Sequence, residues 1–164
     1  MGLRFRGQGV LMTAHRFPDL PELASITEEE AQIIAAACPE GGLIMETGTY
    51  RGLGTERIAK YLPKGARLIT LEAFDDLAEQ ARERLKDDPR VTVITADSSE
   101  YHHLGQLIDV LVLDCFDRRA ALNNLTNSGC VVFVHDLDKP GPSFEFLEAE
   151  VELLGTANAM GRII

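Results

Sequence analysis

Two apolar rhythms alternate along this chain. The runs Leu43-Ile44-Met45, Leu68-Ile69-Thr70-Leu71, Val91-Thr92-Val93-Ile94, 108–113 and 131–134 contain few polar positions. Such short runs suit strands of a parallel sheet covered on both faces, where strict in–out alternation is lost. Between them lie stretches with helical spacing. Leu77, Ala78, Ala81 and Leu85 predict a helix over 75–85, with Asp75 and Asp76 in the first turn, where the helix dipole favours anions. Ile58, Ala59 and Leu62 predict another over 54–62, and further helices are predicted over 117–125 and 143–153. Thr27-Glu28-Glu29-Glu30 has the form of a capping box, in which the hydroxyl accepts from the fourth residue's amide and Glu30 reaches back. The helix it opens carries Ile33, Ile34 and Ala37, and stops at Pro39 with Gly41-Gly42. Residues 1–25 show no period and read as an irregular arm or short helix; 157–164 read as one or two short edge strands. The alternation predicts an α/β fold: a Rossmann-like, doubly wound, mostly parallel sheet with helices on both faces. The simplest parse is an N-terminal arm and helix over 1–40, then one domain over 41–164.

Composition narrows the picture. A length of 164 residues fits one domain, and a hydrophobic share of 45% is too high for a disordered chain. Twenty-six acidic against 16 basic side chains leave a formal charge of −10, which disfavours nucleic acid or an anionic membrane surface as partner. No apolar run approaches the roughly 20 residues needed to span a bilayer. Cys38, Cys115 and Cys130 are odd in number, widely spaced and flanked by apolar residues, a pattern of buried free thiols rather than a disulfide or zinc site. Arg4 and Arg6 are not followed by a signal-peptide core, so the cytoplasm is the expected location.

Candidate chemistry comes from position. Each core strand reaches a carboxylate at or just past its carboxyl end: Glu46, Glu72, Asp97, Asp114 and Asp136. Open parallel sheets bind ligands in the crevice outside those ends. Crowded carboxylates raise one another's pKa, so a fold that gathers five of them has something there to neutralise them or donate to them. After Glu46 comes Thr47-Gly48-Thr49-Tyr50-Arg51-Gly52-Leu53-Gly54, a glycine-rich turn that lets backbone approach a ligand. It is neither G-x-G-x-x-G nor a P-loop. Glu46 at its entrance opposes a pyrophosphate and suits a cationic ligand or an ammonium group. Glu72 lies 24 residues past Gly48, where a carboxylate can accept from both hydroxyls of a ribose. Asp97-Ser98 could take an adenine amino group. One ligand satisfies both: an adenosine laid across the strand ends.

In this order the segments resemble the class I S-adenosylmethionine-dependent methyltransferases over residues 42–164. The carriers are Met45-Glu46-Thr47-Gly48-Thr49-Tyr50-Arg51-Gly52, Leu71-Glu72, Thr95-Ala96-Asp97-Ser98, Val112-Leu113-Asp114 and Gly129-Cys130-Val131-Val132-Phe133-Val134-His135-Asp136. The last resembles the small-molecule O-methyltransferase branch. The resemblance implies a methyltransferase using S-adenosylmethionine on a small-molecule oxygen or nitrogen acceptor. It implies that Glu46, Gly48, Thr49, Tyr50 and Gly52 hold the methionine end and Glu72 the ribose. Ala73 or Phe74 would flank the adenine, Asp97 and Ser98 would bind its edge, and Asp114 would sit near the methionine amine or the acceptor. His135 and Asp136 are the candidate bases. Metal-dependent relatives grip a divalent cation with an Asp at the fourth strand and an Asp-Asn pair after the fifth. Here Asp114 and Asp136 suit that pattern, but Leu137 stands where the amide would be, and Asp138 reaches only if the loop shifts. A bound metal is therefore possible but not favoured. The stretch after the fifth strand looks abbreviated against the family, with little to form an acceptor lid, which leaves a homodimer open. The alternatives are a non-catalytic methyltransferase-like binding or scaffold protein, and a different enzyme on this fold such as an aminopropyl transferase or a dinucleotide enzyme, the last disfavoured by Glu46 and the absence of G-x-G-x-x-G. His102-His103 reads as a solvated loop pair.

Overall fold

The apolar runs pair side by side as their composition requires. The computed structural model describes residues 25–127, 129–137, 151–156 and 159–163. Its elements in chain order are α1 (Glu28–Ala36), β1 (Leu43–Thr47), α2 (Leu53–Lys60), β2 (Arg67–Glu72), α3 (Asp75–Leu85), β3 (Val91–Thr95), β4 (Val110–Leu113), α4 (Arg118–Leu125), β5 (Val131–Val134), β6 (Val151–Leu153) and β7 (Gly161–Ile163). The strands form one sheet in the order β3-β2-β1-β4-β5-β7-β6. The first five are parallel, and β7 runs antiparallel to both β5 and β6. The predicted arm up to residue 24, Asp138, and residues 143–150 of the predicted 143–153 helix lie outside the described residues.

Local chemistry explains two of the helix starts. The capping box at Thr27 is complete, with Glu30 N donating to Thr27 Oγ1 at 3.2 Å and Thr27 N to Glu30 Oε2 at 2.8 Å. Asp117 caps α4, accepting from Ala120 N. One expectation is corrected: Val151–Leu153, placed in a helix by the sequence pattern, is strand β6. The segment Val151-Glu152-Leu153-Leu154 satisfies both a two-residue and a 3.6-residue period, and in so short a piece the neighbouring strand decides. The tail also differs. It supplies β7, which sits inside the sheet between β5 and β6 rather than at its edge.

Each sheet face carries a core. Ile44, Leu68, Val110, Val112 and Phe133 share a cluster with Ile34 of α1, Ile58 of α2 and Ile26 just ahead of α1. Leu43, Met45, Leu71, Leu111, Leu113, Val132 and Val134 meet Ala121 and Leu125 of α4 on the other face. Helix α1 thus packs into the core of the sheet, and on this face the even residues of β1 and β2 bring Glu46, Thr70 and Glu72 to the same side as α1. All three cysteines are free. Among the described residues no helix is long and apolar enough to cross a membrane.

Candidate active site at the carboxyl ends of the strands

The strand order reverses direction between β1 and β4, and the loops leaving these two strands touch. Gly48 has φ 86°, and a Cβ placed on it would lie 2.3 Å from the Asp114 carbonyl oxygen, so only glycine fits. Gly48 N and Thr49 N both donate to Leu71 O, at 2.9 and 3.2 Å. The loop then turns through Tyr50 (φ 52°) and Gly52 (φ 81°) into α2. Arg51 places its guanidinium over the Tyr50 ring, 5.2 Å from the centroid.

Glu72 ends β2 beside this turn. Tyr50 N donates to its Oε2 at 2.7 Å and Phe74 N to its Oε1 at 3.0 Å. Burial raises its pKa, while these backbone donors pull the other way. Ala73 N adds a third backbone donor; a carboxylate has about four lone-pair directions, so acceptor capacity remains for a ribose hydroxyl. Asp97, past β3, accepts from both Ser99 N (2.9 Å) and Ser99 Oγ (2.7 Å), which fixes the turn there. Ser98 is buried and shares a hydrogen bond with the Cys115 thiol.

Glu46 lies deeper than a strand-end position suggests. It is the fourth residue of β1 and only 2% exposed. Its Oε2 accepts from Thr55 Oγ1 at 2.5 Å and Thr70 Oγ1 at 2.6 Å, and Thr70 in turn meets Thr49 Oγ1 at 2.5 Å. Burial pushes its pKa up to about 7, against the pull of the two hydroxyls. The carboxylate and the side chain of Thr49 therefore brace the glycine turn from beneath.

A second group of charges closes the rim at β4 and β5. His135 is fully buried. Its Nδ1 lies 3.3 Å from Asp114 Oδ1 and 3.4 Å from Asp136 Oδ1, and its Nε2 lies 3.3 Å from Glu30 Oε2 on α1. Burial opposes its charge, yet the carboxylates of Asp114 and Glu30 prevail and raise its pKa to about 10. Arg118, at the start of α4, donates to the His135 carbonyl at 3.1 Å and stands 3.6 Å from Asp114 Oδ1. Asp114 and Asp136 remain partly open, with side chains 19% and 16% exposed. Asp136 adopts φ 58°, unusual for a residue with a Cβ.

Comparison with known proteins bears on the fold. No protein-family model matches the chain. Catechol O-methyltransferase B of Danio rerio is 58% identical over 80 residues, covering 43% of this chain and 30% of that protein, so this chain spans less than a third of the relative's length. A Podospora anserina methyltransferase solved with S-adenosylhomocysteine superimposes with a TM-score of 0.68 at 17% identity, over 91% of this chain and 82% of its own. An O-methyltransferase of Streptomyces achromogenes involved in tomaymycin synthesis, solved with S-adenosylmethionine, gives 0.63 at 20% identity, over 89% and 83%. Fibrillarin of Aeropyrum pernix with natively bound S-adenosylmethionine gives 0.64 at 15%, over 87% and 76%. The fold is that of the class I methyltransferases.

On this methyltransferase fold the sequence-derived residues gather at one rim, although not all face the crevice. Gly48, Tyr50, Gly52 and Glu72 surround the turn after β1, with Ala73 next to Glu72; Asp114, His135 and Asp136 close the side toward β5. Glu46 and Thr49 are sunk beneath. The donor atoms of Asp114, His135 and Asp136 lie within 4.8 Å of one another, a spacing a cation could use. The chemistry of the set does not fit one. Metal ligation needs a histidine lone pair, whereas both His135 nitrogens face carboxylates, Nε2 toward buried Glu30 and Nδ1 toward Asp114 and Asp136, an arrangement that favours an N–H on each. Three groups escaped the sequence reading as site residues. From sequence Glu30 marks only a helix cap, Thr70 lies inside a predicted strand, and Arg118 falls within the predicted 117–125 helix. The signal for Thr70 was a hydroxyl inside an apolar run; Glu30 and Arg118 carried no local mark of the rim.

Proposed function

We propose that this chain binds S-adenosylmethionine in the crevice between β1 and β4 and transfers its methyl group to an oxygen of a small-molecule acceptor. The observation that carries the reading is Glu72: a largely buried carboxylate at the end of β2, tied to the glycine turn by Tyr50 N at 2.7 Å and to α3 by Phe74 N at 3.0 Å. Such a carboxylate, held in place by amides beside a switch point, is preorganised for a ribose diol. In this reading Ala73 and Phe74 flank the adenine, and the turn fixed by Asp97, with Ser98, borders its edge. The turn of Gly48, Thr49, Tyr50 and Gly52, braced by Glu46, borders the methionine end. The overlap with part of a catechol O-methyltransferase favours oxygen as the acceptor atom.

When bound, S-adenosylmethionine supplies an electrophilic methyl on a cationic sulfur. The protein's part is to align that carbon with the acceptor and keep water out. At the rim, Glu30, Asp114 and Asp136 face His135 and Arg118, so the cluster keeps one negative charge in excess. That excess complements a sulfonium or an ammonium group. The acceptor hydroxyl hydrogen bonds to Asp136, with Asp114 beside it, and its proton passes to a carboxylate as the methyl arrives. His135, proposed from the sequence as a base, is better suited to hold those carboxylates than to abstract a proton, since an imidazolium has no lone pair to offer. The acidic chain favours neutral or cationic acceptors over nucleic acid.

The reading is tested by incubating the protein with methyl-labelled S-adenosylmethionine and a panel of catechols and other small phenols. Labelled product lost in Asp136→Ala supports it. Tight binding of S-adenosylhomocysteine with no transfer to any hydroxyl would support a non-catalytic binding protein instead.

A further inference from the structure

Glu30 serves two structures with one carboxylate. Its Oε2 accepts from Thr27 N at 2.8 Å to close the cap of α1, and the same oxygen lies 3.3 Å from His135 Nε2 with both side chains fully buried. On the other side of the ring, Asp114 and Asp136 approach Nδ1 at 3.3 and 3.4 Å. A neutral imidazole has one N–H and one lone pair. In either tautomer that lone pair would face a carboxylate oxygen, on the Nε2 side one that is fully buried with the ring. Only the imidazolium offers an N–H to both sides.

We propose that Glu30 and His135 form a built-in cation for the acceptor rim. Glu30, from α1, holds His135 as an imidazolium, and the imidazolium positions Asp114 and Asp136 where metal-dependent relatives use a divalent ion. Both are positioning residues acting through the two aspartates. The role toward an acceptor rests on the methyltransferase reading above; the charge state of the ring does not. The groups that face the ring come from every side: Glu30 from α1, Asp114 after β4, and Asp136 after β5. Glu46 of β1 acts on it at longer range, Arg118 of α4 sits against Asp114 and the His135 carbonyl, and Thr156 before β7 hydrogen bonds to Glu30. The net effect of the ring's neighbours is a raised histidine pKa and a lowered one for Glu30, each against the opposing pull of burial.

Glu30→Gln separates the two duties, because glutamine at the third helical position closes a capping box as glutamate does. Histidine ring nitrogens are followed by NMR in the full-length 15N-labelled protein, and S-adenosylhomocysteine affinity is measured in EDTA and in Mg2+. The expected result is a His135 doubly protonated at pH 8 in the wild type. Its titration midpoint should fall by at least about one pH unit in Glu30→Gln, a tenfold loss of proton affinity, with helix content retained. Affinity for S-adenosylhomocysteine should agree within about twofold in the two media. A neutral His135 at pH 8 in the wild type overturns the proposal, and that spectrum decides even if the variant does not fold. So does an unmoved midpoint in a folded Glu30→Gln, or a gain of tenfold or more in affinity on adding Mg2+. Absent binding in both media, with a doubly protonated His135 that responds to Glu30→Gln, contradicts the methyltransferase reading and leaves the built-in cation supported.

Discussion

Gly48 is the residue with the least freedom at the site. Its φ of 86° suits glycine alone, and an added methyl would meet the Asp114 carbonyl at 2.3 Å. Gly48→Ala should therefore cost about 3 kcal/mol or more through strain and forced separation of the β1 and β4 loops. Chemical denaturation checks this, and a cost under about 1 kcal/mol would mean the two loops are not in contact. Glu46 acts differently, through an acceptor atom rather than through space. Glu46→Ala removes the partner of the Thr55 and Thr70 hydroxyls, and two buried donors left unsatisfied cost about 1–3 kcal/mol each. The expected loss is about 3 kcal/mol, with most of it recovered in Glu46→Gln, whose carbonyl oxygen can still accept.

Helix α1 shows how an element becomes part of a site without any catalytic signature. Its start was readable because a capping box is a local device, complete within four residues. Thr27→Ala should cost about 1 kcal/mol in thermal or denaturant unfolding, the usual worth of such a cap. The helix's second duty was not readable, because Glu30 meets His135 across 105 positions of sequence. The same contrast runs through the other elements. Strands β1 to β5 and α3 were legible from their own apolar spacing, and Glu72 from its place after a strand. Glu46 was found by position but misjudged in depth, since the strand continues through Thr47 and carries the carboxylate down against Thr70. Segment 151–153 was misread because three residues satisfy two periods at once, and only pairing with β7 selects between them.

Across the whole molecule the buried charges set how stability responds to pH. The folded-state pKa of His135, raised from 6.5 to about 10, contributes stability that is complete below about 6.5 and is lost as pH rises through about 10. Glu46, raised from 4.5 to about 7 by burial, works in the same direction, its contribution fading between those values. Glu30 is held below its usual 4.5, mainly by His135 against the opposition of burial, so its contribution is lost as pH falls. The melting temperature should thus be highest in mildly acidic solution and decline steadily from pH 7 to 10. Glu46→Gln should flatten the part of the curve between pH 5 and 7, and a melting temperature that still rises between pH 7 and 10 would contradict the buried imidazolium. These charges matter to function only if the crevice they border takes an adenosyl ligand. Calorimetric titration with S-adenosylhomocysteine, run on the wild type and on Glu72→Ala, measures that most directly. The account predicts saturable one-to-one binding to the wild type and a loss of at least about tenfold in affinity in the variant; no binding to the folded wild type, or equal affinity in both proteins, would contradict it.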